Sequence, residues 1–218
     1  MCVADQAASN GRGVTAAPVA RGPILVRGPL EMRAGWEVAT RTSKAALTVG
    51  DVQAVVKVLV RAPAQGLVAA ALPPLGRAER RGDALLIGSG PGEWLLLASG
   101  TSAQELSAQF LPAAGEEFVS WVDLTHGRAL LRLSGADAAR TLAKVCAVNF
   151  ADSVNPNGSA LRAPVASITT DIVRDDQADL RSYLMHCERS SGQFLFEALL
   201  DAGAEFKAEA VGSFGLGL

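Results

Sequence analysis

Short apolar runs separated by turn residues dominate the pattern of this chain. Residues 119–124 are mostly apolar and end at the turn residues Thr125, His126 and Gly127, and residues 129–133 form a second apolar run. Runs of this length favour strands over helices. The pattern therefore predicts two successive strands, at 119–124 and at 129–133.

A helix start follows the second of these strands. Ser134 stands three residues before Asp137, the spacing at which a hydroxyl and a carboxylate satisfy the first backbone N–H groups of a helix. Small and apolar residues then recur at steps of three and four, as in an amphipathic helix; they are Ala139, Leu142, Ala143, Val145 and Cys146. We predict a helix that is capped by Ser134 and buries one face.

The first half of the chain follows a similar plan. Residues 52–60 are apolar and β-branched enough for a strand, and residues 66–72 suit a short helix that the next two prolines stop. The apolar runs 84–87 and 94–98 flank the sequence GSGPGE, in which Pro-Gly fits the centre of a type II turn. These runs are therefore predicted to form a hairpin.

A helix is predicted after this hairpin. Thr101 or Ser102, with Gln104 or Glu105 three residues later, forms a capping-box pattern. Leu106 and Phe110 would form the buried side of this helix.

The end of the chain is predicted to add a loop, two strands and a helix. The loop covers residues 155–164, the strands cover 165–173 and 182–187, and Ser190 with Gln193 caps the helix. The apolar side of that helix comprises Phe194, Leu195, Ala198, Leu199, Ala202 and Phe206.

Two passages with the same order of elements indicate an internal repeat. Residues 93–110 and 182–199 both run from an apolar strand through a capping pattern into an amphipathic helix. Strands joined by hairpins, with helices on one face, predict an α+β fold of two tandem β-α-β-β-α units, each of the ferredoxin-like, split βαβ kind with antiparallel or mixed sheets. The predicted divisions are an extended N-terminal arm at 1–45, a first unit at 46–118 and a second at 119–218.

The predicted N-terminal arm is rich in Ala, Gly and Pro, and its apolar residues follow no period. Such a segment is either disordered or becomes ordered on a partner. The second alternative would use the apolar residues Ile24, Leu25, Val26, Leu30 and Trp36, while residues 1–13 would stay loose.

Composition narrows the classes of function. The 20 Lys and Arg balance 22 Asp and Glu to a net charge of −2, so the chain has no electrostatic footprint for nucleic acid. Its apolar runs are too short to span a membrane and its start does not read as a signal peptide, so we expect a cytoplasmic protein. Cys2, Cys146 and Cys187 have spacings that suggest neither disulfides nor a zinc site, and the last two are expected in the core.

Two sequence features could indicate a binding or catalytic site, but a structural role explains each of them better. The glycines of GSGPG at 88–92 precede a strand rather than a helix, so no helix N-terminus is available for a phosphate. His126 lies near Asp123, Thr125 and Arg128, and either Ser120 or Ser134 could complete a triad, but residues this close around a turn usually stabilise the turn.

The remaining polar candidates also favour structural roles. His186 lies in an apolar strand, where a hydrogen-bonded histidine is the usual case, and the chain has only two histidines for a metal site. Asp175, Asp176 and Asp179 have the pattern of a solvated hairpin tip. The sequence thus predicts no catalytic, cofactor-binding or metal-binding residues in this chain.

Four stretches resemble a known family in their order and spacing. They are GPGEWLLLA at 90–98, DLTHGRALLRLSG at 123–135, LAKVCAVNF at 142–150 and RSYLMHCERSSGQFLFEALLDAGAEF at 181–206. This series resembles the gamma subunit of heterotetrameric sarcosine oxidase, and less closely the aminomethyltransferase T-protein of the glycine cleavage system. Both resemblances imply the T-protein fold.

The resemblance implies a noncatalytic structural subunit packed on larger partners. In that family the alpha and beta subunits, with a small delta subunit, demethylate sarcosine to glycine using FAD, FMN, NAD and tetrahydrofolate, and the gamma subunit binds no cofactor of its own. The T-protein's Gly-Gly and Asp-Asp segment, which helps to hold the pterin, has no full counterpart in residues 167–184. The alternatives are a stand-alone small folate-binding protein of the T-protein fold and an unrelated two-lobed interaction module.

Overall fold

The computed structural model describes residues 18–112 and 116–216, and within them the chain has fourteen strands and four α-helices. The strands are β1 (Ala20–Arg21), β2 (Leu30–Arg33), β3 (Trp36–Ala39), β4 (Leu47–Gln53), β5 (Val55–Arg61), β6 (Ala78–Arg81), β7 (Ala84–Gly90), β8 (Glu93–Ser99), β9 (Ser120–Asp123), β10 (Arg128–Gly135), β11 (Ala160–Val165), β12 (Ile168–Arg174), β13 (Ser182–Glu188) and β14 (Glu209–Phe214). The helices are α1 (Leu67–Ala71), α2 (Ala103–Phe110), α3 (Ala138–Val145) and α4 (Gly192–Ala202).

These strands form three sheets. A six-stranded sheet has the order β11-β12-β13-β10-β4-β14, a five-stranded sheet has the order β6-β7-β8-β5-β9, and a small sheet has the order β1-β3-β2. Pairing within the five-stranded sheet is antiparallel, whereas β14 runs parallel to β4 in the six-stranded sheet. The coarse expectation of an α+β fold with antiparallel and mixed sheets is confirmed.

The two large sheets face each other and carry helices on their outer faces. Apolar side chains of both sheets meet in a central layer, exemplified by Leu95 and Leu97 of β8 with Leu130 of β10 and Leu184 of β13. The opposite face of β10 and β13 packs against α3 and α4, and the opposite face of β8 packs near α1 and α2. The period of two in each strand thus divides its side chains between a helix-facing layer and a sheet-facing layer.

Several local predictions are confirmed. The runs flanking GSGPGE form the β7–β8 hairpin, and Gly92 takes a φ of 67° at its turn. Ser102 and Glu105 make a complete capping box at α2, and the short helix α1 lies within the predicted range. The Ser102 cap and the Pro-Gly turn each depend on only a few neighbouring residues.

The simple tandem of ferredoxin-like units is not confirmed, because strands are exchanged between the sheets. The single strand predicted at 52–60 is interrupted at Ala54, whose φ of 56° turns the chain from β4 in one sheet to β5 in the other. The predicted successive strands around His126 also separate, since β9 pairs with β5 and β10 pairs with β4 and β13. The divisions at 45 and 118 remain predictions, and the sheets do not follow them strand by strand.

Two of the predicted helix caps are wrong. Ser134 is the penultimate residue of β10, its hydroxyl lies 3.0 Å from that of Ser182, and Asp137 is the residue that precedes α3. Ser190 belongs to a short 3-10 helix, and α4 begins after Ser191 without a side-chain cap. Strand pairing extends to Gly135, so the hydroxyl of Ser134 is used across the sheet.

Six strands were not predicted. β1, β2 and β3 lie in the predicted arm, β6 precedes the predicted hairpin, β11 occupies part of the predicted loop, and β14 lies beyond the last predicted helix. In α4, Leu195, Leu199 and Ala202 are buried as predicted, but Phe194 is exposed and Phe196 is buried instead.

Residues 18–45 pack on the rest of the chain. Ile24 and Val26 join the core beneath α4, and the Leu25 backbone N–H donates to Gln193 Oε1 at 2.7 Å. The prediction that Ile24 and Val26 become ordered only on a partner is therefore wrong. Leu25 and Leu30 are exposed. The predicted loose segment 1–13 lies outside the described residues.

Candidate functional site

Three neighbouring strands carry polar side chains at both ends of the face that looks toward the second sheet. On β13 this face presents Ser182, then Leu184, then His186. On β10, Leu130 lies between Arg128 and Arg132. On β12, Val173 lies between Asp171 and Asp175, and Asp175 lies just past the end of the strand. The inter-sheet layer is thus apolar in the middle and charged at each end.

At one end, two arginines close around one buried carboxylate. Arg80 of β6 donates from Nε and Nη2 to the two Asp175 oxygens at 2.8 and 2.7 Å, and Arg132 of β10 donates from Nη2 to Oδ2 at 2.8 Å. Arg132 also donates to Ser182 Oγ at 2.9 Å and to the Leu216 carbonyl oxygen at 2.9 Å. We call Arg80, Arg132, Asp175 and Ser182 the sealed cluster.

The sealed cluster has the electrostatics of a structural ion pair. Asp175 is 6% exposed, and the Arg132 side chain is 8% exposed. Burial alone would raise the pKa of Asp175, but the hydrogen bonds and charges of the two guanidiniums outweigh it and lower that pKa. The prediction that Asp175 lies at a solvated hairpin tip is therefore wrong: the cluster joins the two sheets.

At the other end, the sheets part to form a cleft of about 220 Å³. Its lining residues come from both sheets; they are Leu59, Arg61, Ser89, Glu93, Leu95, Leu124, Arg128, Arg162, Thr169, Asp171, His186 and Glu188. We call this the open cleft.

The charged residues of the open cleft are linked to one another. Arg162 donates from Nε to Asp171 Oδ1 at 2.6 Å and from Nη2 to Glu93 Oε1 at 2.9 Å. Arg61 reaches the other Glu93 oxygen at 3.3 Å, and Arg128 of β10 pairs with a neighbouring glutamate on β13. Glu93 therefore serves two guanidiniums, both of which remain substantially exposed to solvent.

His186 is the buried part of the open cleft. It is 5% exposed, its Nδ1 lies 3.4 Å from Asp171 Oδ2, and its Nε2 is buried with no hydrogen-bond partner among the described residues. Since an ionised carboxylate only accepts, the Nδ1 contact is a hydrogen bond when Nδ1 carries the proton. Nε2 is then an unused acceptor.

Burial sets the protonation of this histidine. Removal from water lowers the pKa of His186, and the neighbouring Asp171 only partly opposes the shift. The ring is therefore neutral near pH 7. For Asp171, burial raises the pKa but the bonds from His186 and Arg162 lower it overall, so the carboxylate stays ionised.

A third polar group lies where the chain crosses between the sheets at Ala54. Burial raises the pKa of Asp51 to about 7 and lowers that of Lys57 to about 8, with each charge partly offsetting the other shift. Lys57 Nζ donates to the carbonyl oxygens of Val55 and Thr125, both at 3.1 Å. These bonds hold the chain where it passes from one sheet to the other. They also satisfy the buried ammonium group, which explains why a strand interior tolerates a lysine.

The sequence candidates around His126 form a turn. Asp123 Oδ1 accepts from the Thr125 backbone N–H at 2.8 Å, and Thr125 Oγ1 accepts from the Lys57 backbone N–H at 3.1 Å. The His126 ring is exposed and stacks on Trp36, with ring centroids 4.9 Å apart. The structure brings neither Ser120 nor Ser134 to this ring: one lies in the five-stranded sheet and the other is bonded to the sealed cluster.

The other candidates have packing roles. A Cβ at Gly88 would collide with the Pro74 carbonyl oxygen, so this glycine of GSGPG permits close backbone approach. Cys146 and Cys187 are buried and unpaired, as expected. In the part of the chain that the structure describes, no group of three or more His, Cys, Asp and Glu is placed to hold a metal ion. No helix there is long and apolar enough to cross a membrane.

Sequence reasoning found His186 but missed the residues that surround it. Glu93 begins β8, Arg162 lies in the edge strand β11 and Asp171 lies in the middle of β12, so no short sequence motif joins the three residues. The available signal was the alternation on β12 and β13, which puts Asp171 and His186 on one face. Asp171 and His186 are direct partners across β12 and β13, which brings their side chains together.

Comparison with known proteins gives the family. Residues 64–205 match the model of the sarcosine oxidase, gamma subunit family, whereas comparison with curated proteins gave no match. The fold is similar to a chain of heterotetrameric sarcosine oxidase from Corynebacterium sp. U-96 in complex with pyrrole 2-carboxylate (TM-score 0.65, 24% identity), covering 77% of this chain and 88% of that one. It is also similar to glycine cleavage system aminomethyltransferase T from Bartonella henselae (TM-score 0.62, 19% identity), covering 85% of this chain and 56% of that one. Because the matched region spans more than half of the sequence, the chain belongs to the sarcosine oxidase gamma subunit family.

Proposed function

We propose that this chain is the noncatalytic, structural gamma subunit of a cytoplasmic heterotetrameric sarcosine oxidase. The complex oxidatively demethylates sarcosine to glycine and passes the one-carbon unit to tetrahydrofolate. Its alpha, beta and small delta subunits are the partners of this chain, and they carry the FAD, FMN, NAD and tetrahydrofolate sites. Membership of the family supports the assembly, and the geometry of the open cleft supports the noncatalytic role.

The observation that carries the noncatalytic role is the isolation of His186. A general base activates a nucleophile by hydrogen bonding to it, usually with a third group orienting the base. Asp171 could orient His186, but no hydroxyl or thiol among the described residues bonds to its Nε2. Each arginine that lines the cleft forms an ion pair with a carboxylate of this chain. Among the described residues, no nucleophile lies within hydrogen-bonding distance of His186 Nε2.

An exposed apolar edge supports a role within an assembly. β9 is the outer strand of the five-stranded sheet, and Trp121 and Val122 on it are exposed, with Phe118 just before them 78% exposed. An unpaired strand edge that carries exposed apolar side chains is typical of a surface that another chain covers.

Co-expression tests the assembly. A tagged full-length chain, produced with the alpha, beta and delta subunits of the same organism, is expected to retain all three through size-exclusion chromatography, with flavin absorbance in that peak. The chain purified alone is expected to be colourless. Flavin bound stoichiometrically by the chain alone, or failure to retain the other subunits, would overturn the proposal.

A variant of the β9 edge tests the surface. Trp121→Ser with Val122→Ser is expected to release the larger subunits and to lower the melting temperature of the free chain only slightly, since the two side chains are 42% and 53% exposed. The matched control is Val154→Ser, which removes an isolated exposed apolar side chain and should leave assembly intact. Intact assembly of the double variant would place the interface elsewhere.

The second candidate function is a stand-alone folate-binding protein. The fold similarity to aminomethyltransferase T favours it. Tetrahydrofolate titrated into the isolated chain would then quench its tryptophan fluorescence saturably. The structural-subunit proposal predicts no saturable change.

A further inference from the structure

A groove lies between residues 22–28 and the small sheet of strands β1, β2 and β3. Its volume is about 180 Å³, and its lining residues include Leu25, Arg27, Leu30 and Gln53. Leu25 is 79% exposed and Leu30 is 57% exposed, although both are large apolar side chains. The groove is smaller than the pockets of roughly 300–1,000 Å³ that enclose small-molecule ligands, so it suits a single apolar side chain of a docking partner. We call it the arm groove.

One wall of the arm groove, residues 24–27, has an unpaired backbone. Ile24 and Val26 are buried while Leu25 and Arg27 are exposed, which is the alternation of a strand that covers a core with one side. The Leu25 N–H donates to Gln193, but the backbone N–H groups of Ile24, Val26 and Arg27 have no hydrogen-bond partner in the part of the chain that the structure describes. Buried backbone groups are nearly always paired. An extended peptide that lies alongside such a wall supplies partners for it.

The arm groove also carries positive charge without compensation. Residues 18–45 contain five Arg and Lys against two Glu, and both glutamates already pair with arginines of the same segment. Arg27 and Arg41 have no ion-pair partner among the described residues. A Cβ at Gly28 would lie 3.0 Å from that of Arg41, so Arg41 packs against the residue next to Arg27. A carboxylate would form charge-assisted hydrogen bonds with either guanidinium.

We propose that the arm groove docks an extended segment of a larger partner subunit, with an apolar side chain between Leu25 and Leu30 and a carboxylate toward Arg27 and Arg41. The backbone at 24–27 favours a peptide as the occupant, because a peptide places carbonyl acceptors at regular intervals along such a wall. The inference rests on the proposed function and adds a second contact surface to the β9 edge.

Competition between two copies of the chain tests the arm groove. Wild-type and variant full-length chains with different tags are co-expressed with the alpha, beta and delta subunits, and mass spectrometry measures their ratio in the purified complex relative to the free chains. Leu25→Ser with Leu30→Ser, or Arg27→Glu alone, is expected to be incorporated at least about tenfold less than wild type, the effect of losing one charge-assisted contact or a comparable burial of apolar surface.

Matched controls come from exposed residues outside the arm groove. Leu75→Ser with Val154→Ser removes two apolar side chains that are 59% and 56% exposed. Arg77→Glu reverses the charge of an exposed arginine that has no ion-pair partner among the described residues. Both controls are expected to be incorporated as well as wild type.

Hydrogen exchange tests the backbone pairing directly. The amides of Ile24, Val26 and Arg27 are expected to exchange at least about tenfold more slowly in the assembled complex than in the free full-length chain, because the docked segment accepts from them. The amide of Leu25, which is already bonded to Gln193, is the internal control and is expected to change less.

Three results would overturn the inference. They are incorporation of the groove variants at the level of the controls, equal exchange at 24–27 in the free and the assembled chain, or sedimentation of the free chain with phosphatidylserine vesicles that Arg27→Glu abolishes, which would assign the groove to a membrane surface. If the wild-type chain does not assemble at all, the proposed function fails as well. If the wild-type chain assembles and the groove variants are incorporated equally, only this inference fails.

Discussion

The sealed cluster and the open cleft lie at opposite ends of the same three strands and use the same chemistry. Each contains one ion pair between the two sheets, Arg80 with Asp175 and Arg162 with Glu93. The Asp175 side chain is 6% exposed, whereas the two arginines that share Glu93 are 65% and 44% exposed. In the sealed cluster, carbonyl and hydroxyl oxygens also accept from Arg132. In the open cleft, a ring nitrogen is left without a partner.

The difference shows that two clusters of the same residue types can differ in how far their charged groups are removed from water. A buried charge that loses its partner cannot be rescued by water, whereas an exposed one can. The sealed cluster should therefore dominate stability, and the open cleft should contribute little to it.

Asp175→Asn is expected to have the largest effect. It leaves two guanidiniums facing a neutral side chain, and breaking a buried pair in this way costs about 3–5 kcal/mol of unfolding free energy. Urea denaturation measures the loss. Glu79→Gln, which breaks an exposed pair next to Arg80, is the control and should not change stability measurably. A loss for Asp175→Asn no larger than for this control would contradict the comparison.

His186→Gln is expected to change how stability depends on pH. The pKa of His186 is depressed on folding, so the unfolded chain binds the proton more readily and stability is lost as pH falls below about 6.5. This contribution has a slope of at most about 1.4 kcal/mol per pH unit, and Gln removes it. Urea denaturation at pH 7.5, 6.5 and 5.5 should show a flatter profile for the variant. Parallel profiles would mean that the histidine is not held neutral.

Ser134→Ala is expected to cost about 1 kcal/mol, the usual value of one hydrogen bond. The hydroxyl of Ser134 lies against Ser182, which still accepts from Arg132 in the variant. Far-UV circular dichroism should retain the helix signal, because Ser134 does not cap α3. Selective loss of helix would restore the capping role that the sequence suggested.

Glu93→Gln is expected to have the smallest effect. Its two arginines remain solvated, so the unfolding free energy should fall by less than about 1 kcal/mol. Denaturation by urea at low and high salt measures it. A loss approaching that of Asp175→Asn would mean that the open cleft is as structural as the sealed cluster.

Local chemistry made part of the fold predictable from the sequence. Capping at Ser102, the Pro-Gly turn and the apolar runs act over a few neighbouring residues, and the corresponding elements were found. The family resemblance then led to the overall fold. The exchange of strands at Ala54 was not predictable, because a positive φ at alanine has no sequence signal.

The site was harder to predict, because polar residues at strand ends resemble those of turns. Asp175 follows an apolar strand and precedes two more aspartates within four residues, a pattern that suits a solvated tip. Only the sheet packing brings Arg80 and Arg132 to it. Ser134 was misassigned for the same reason: its spacing to Asp137 fits a cap, but pairing continues one residue past it.

The pairing of β14 with β4 determines the order in which the two large sheets can assemble during synthesis. All strands of the five-stranded sheet lie between residues 55 and 123, so that sheet can assemble while the remainder of the chain is still on the ribosome. β4 is made earlier but gains its neighbours later, β10 first and β14 only after α4 has been made. A nascent chain therefore carries β4 without a neighbouring strand until β10 has been made, the stage at which a chaperone would meet it.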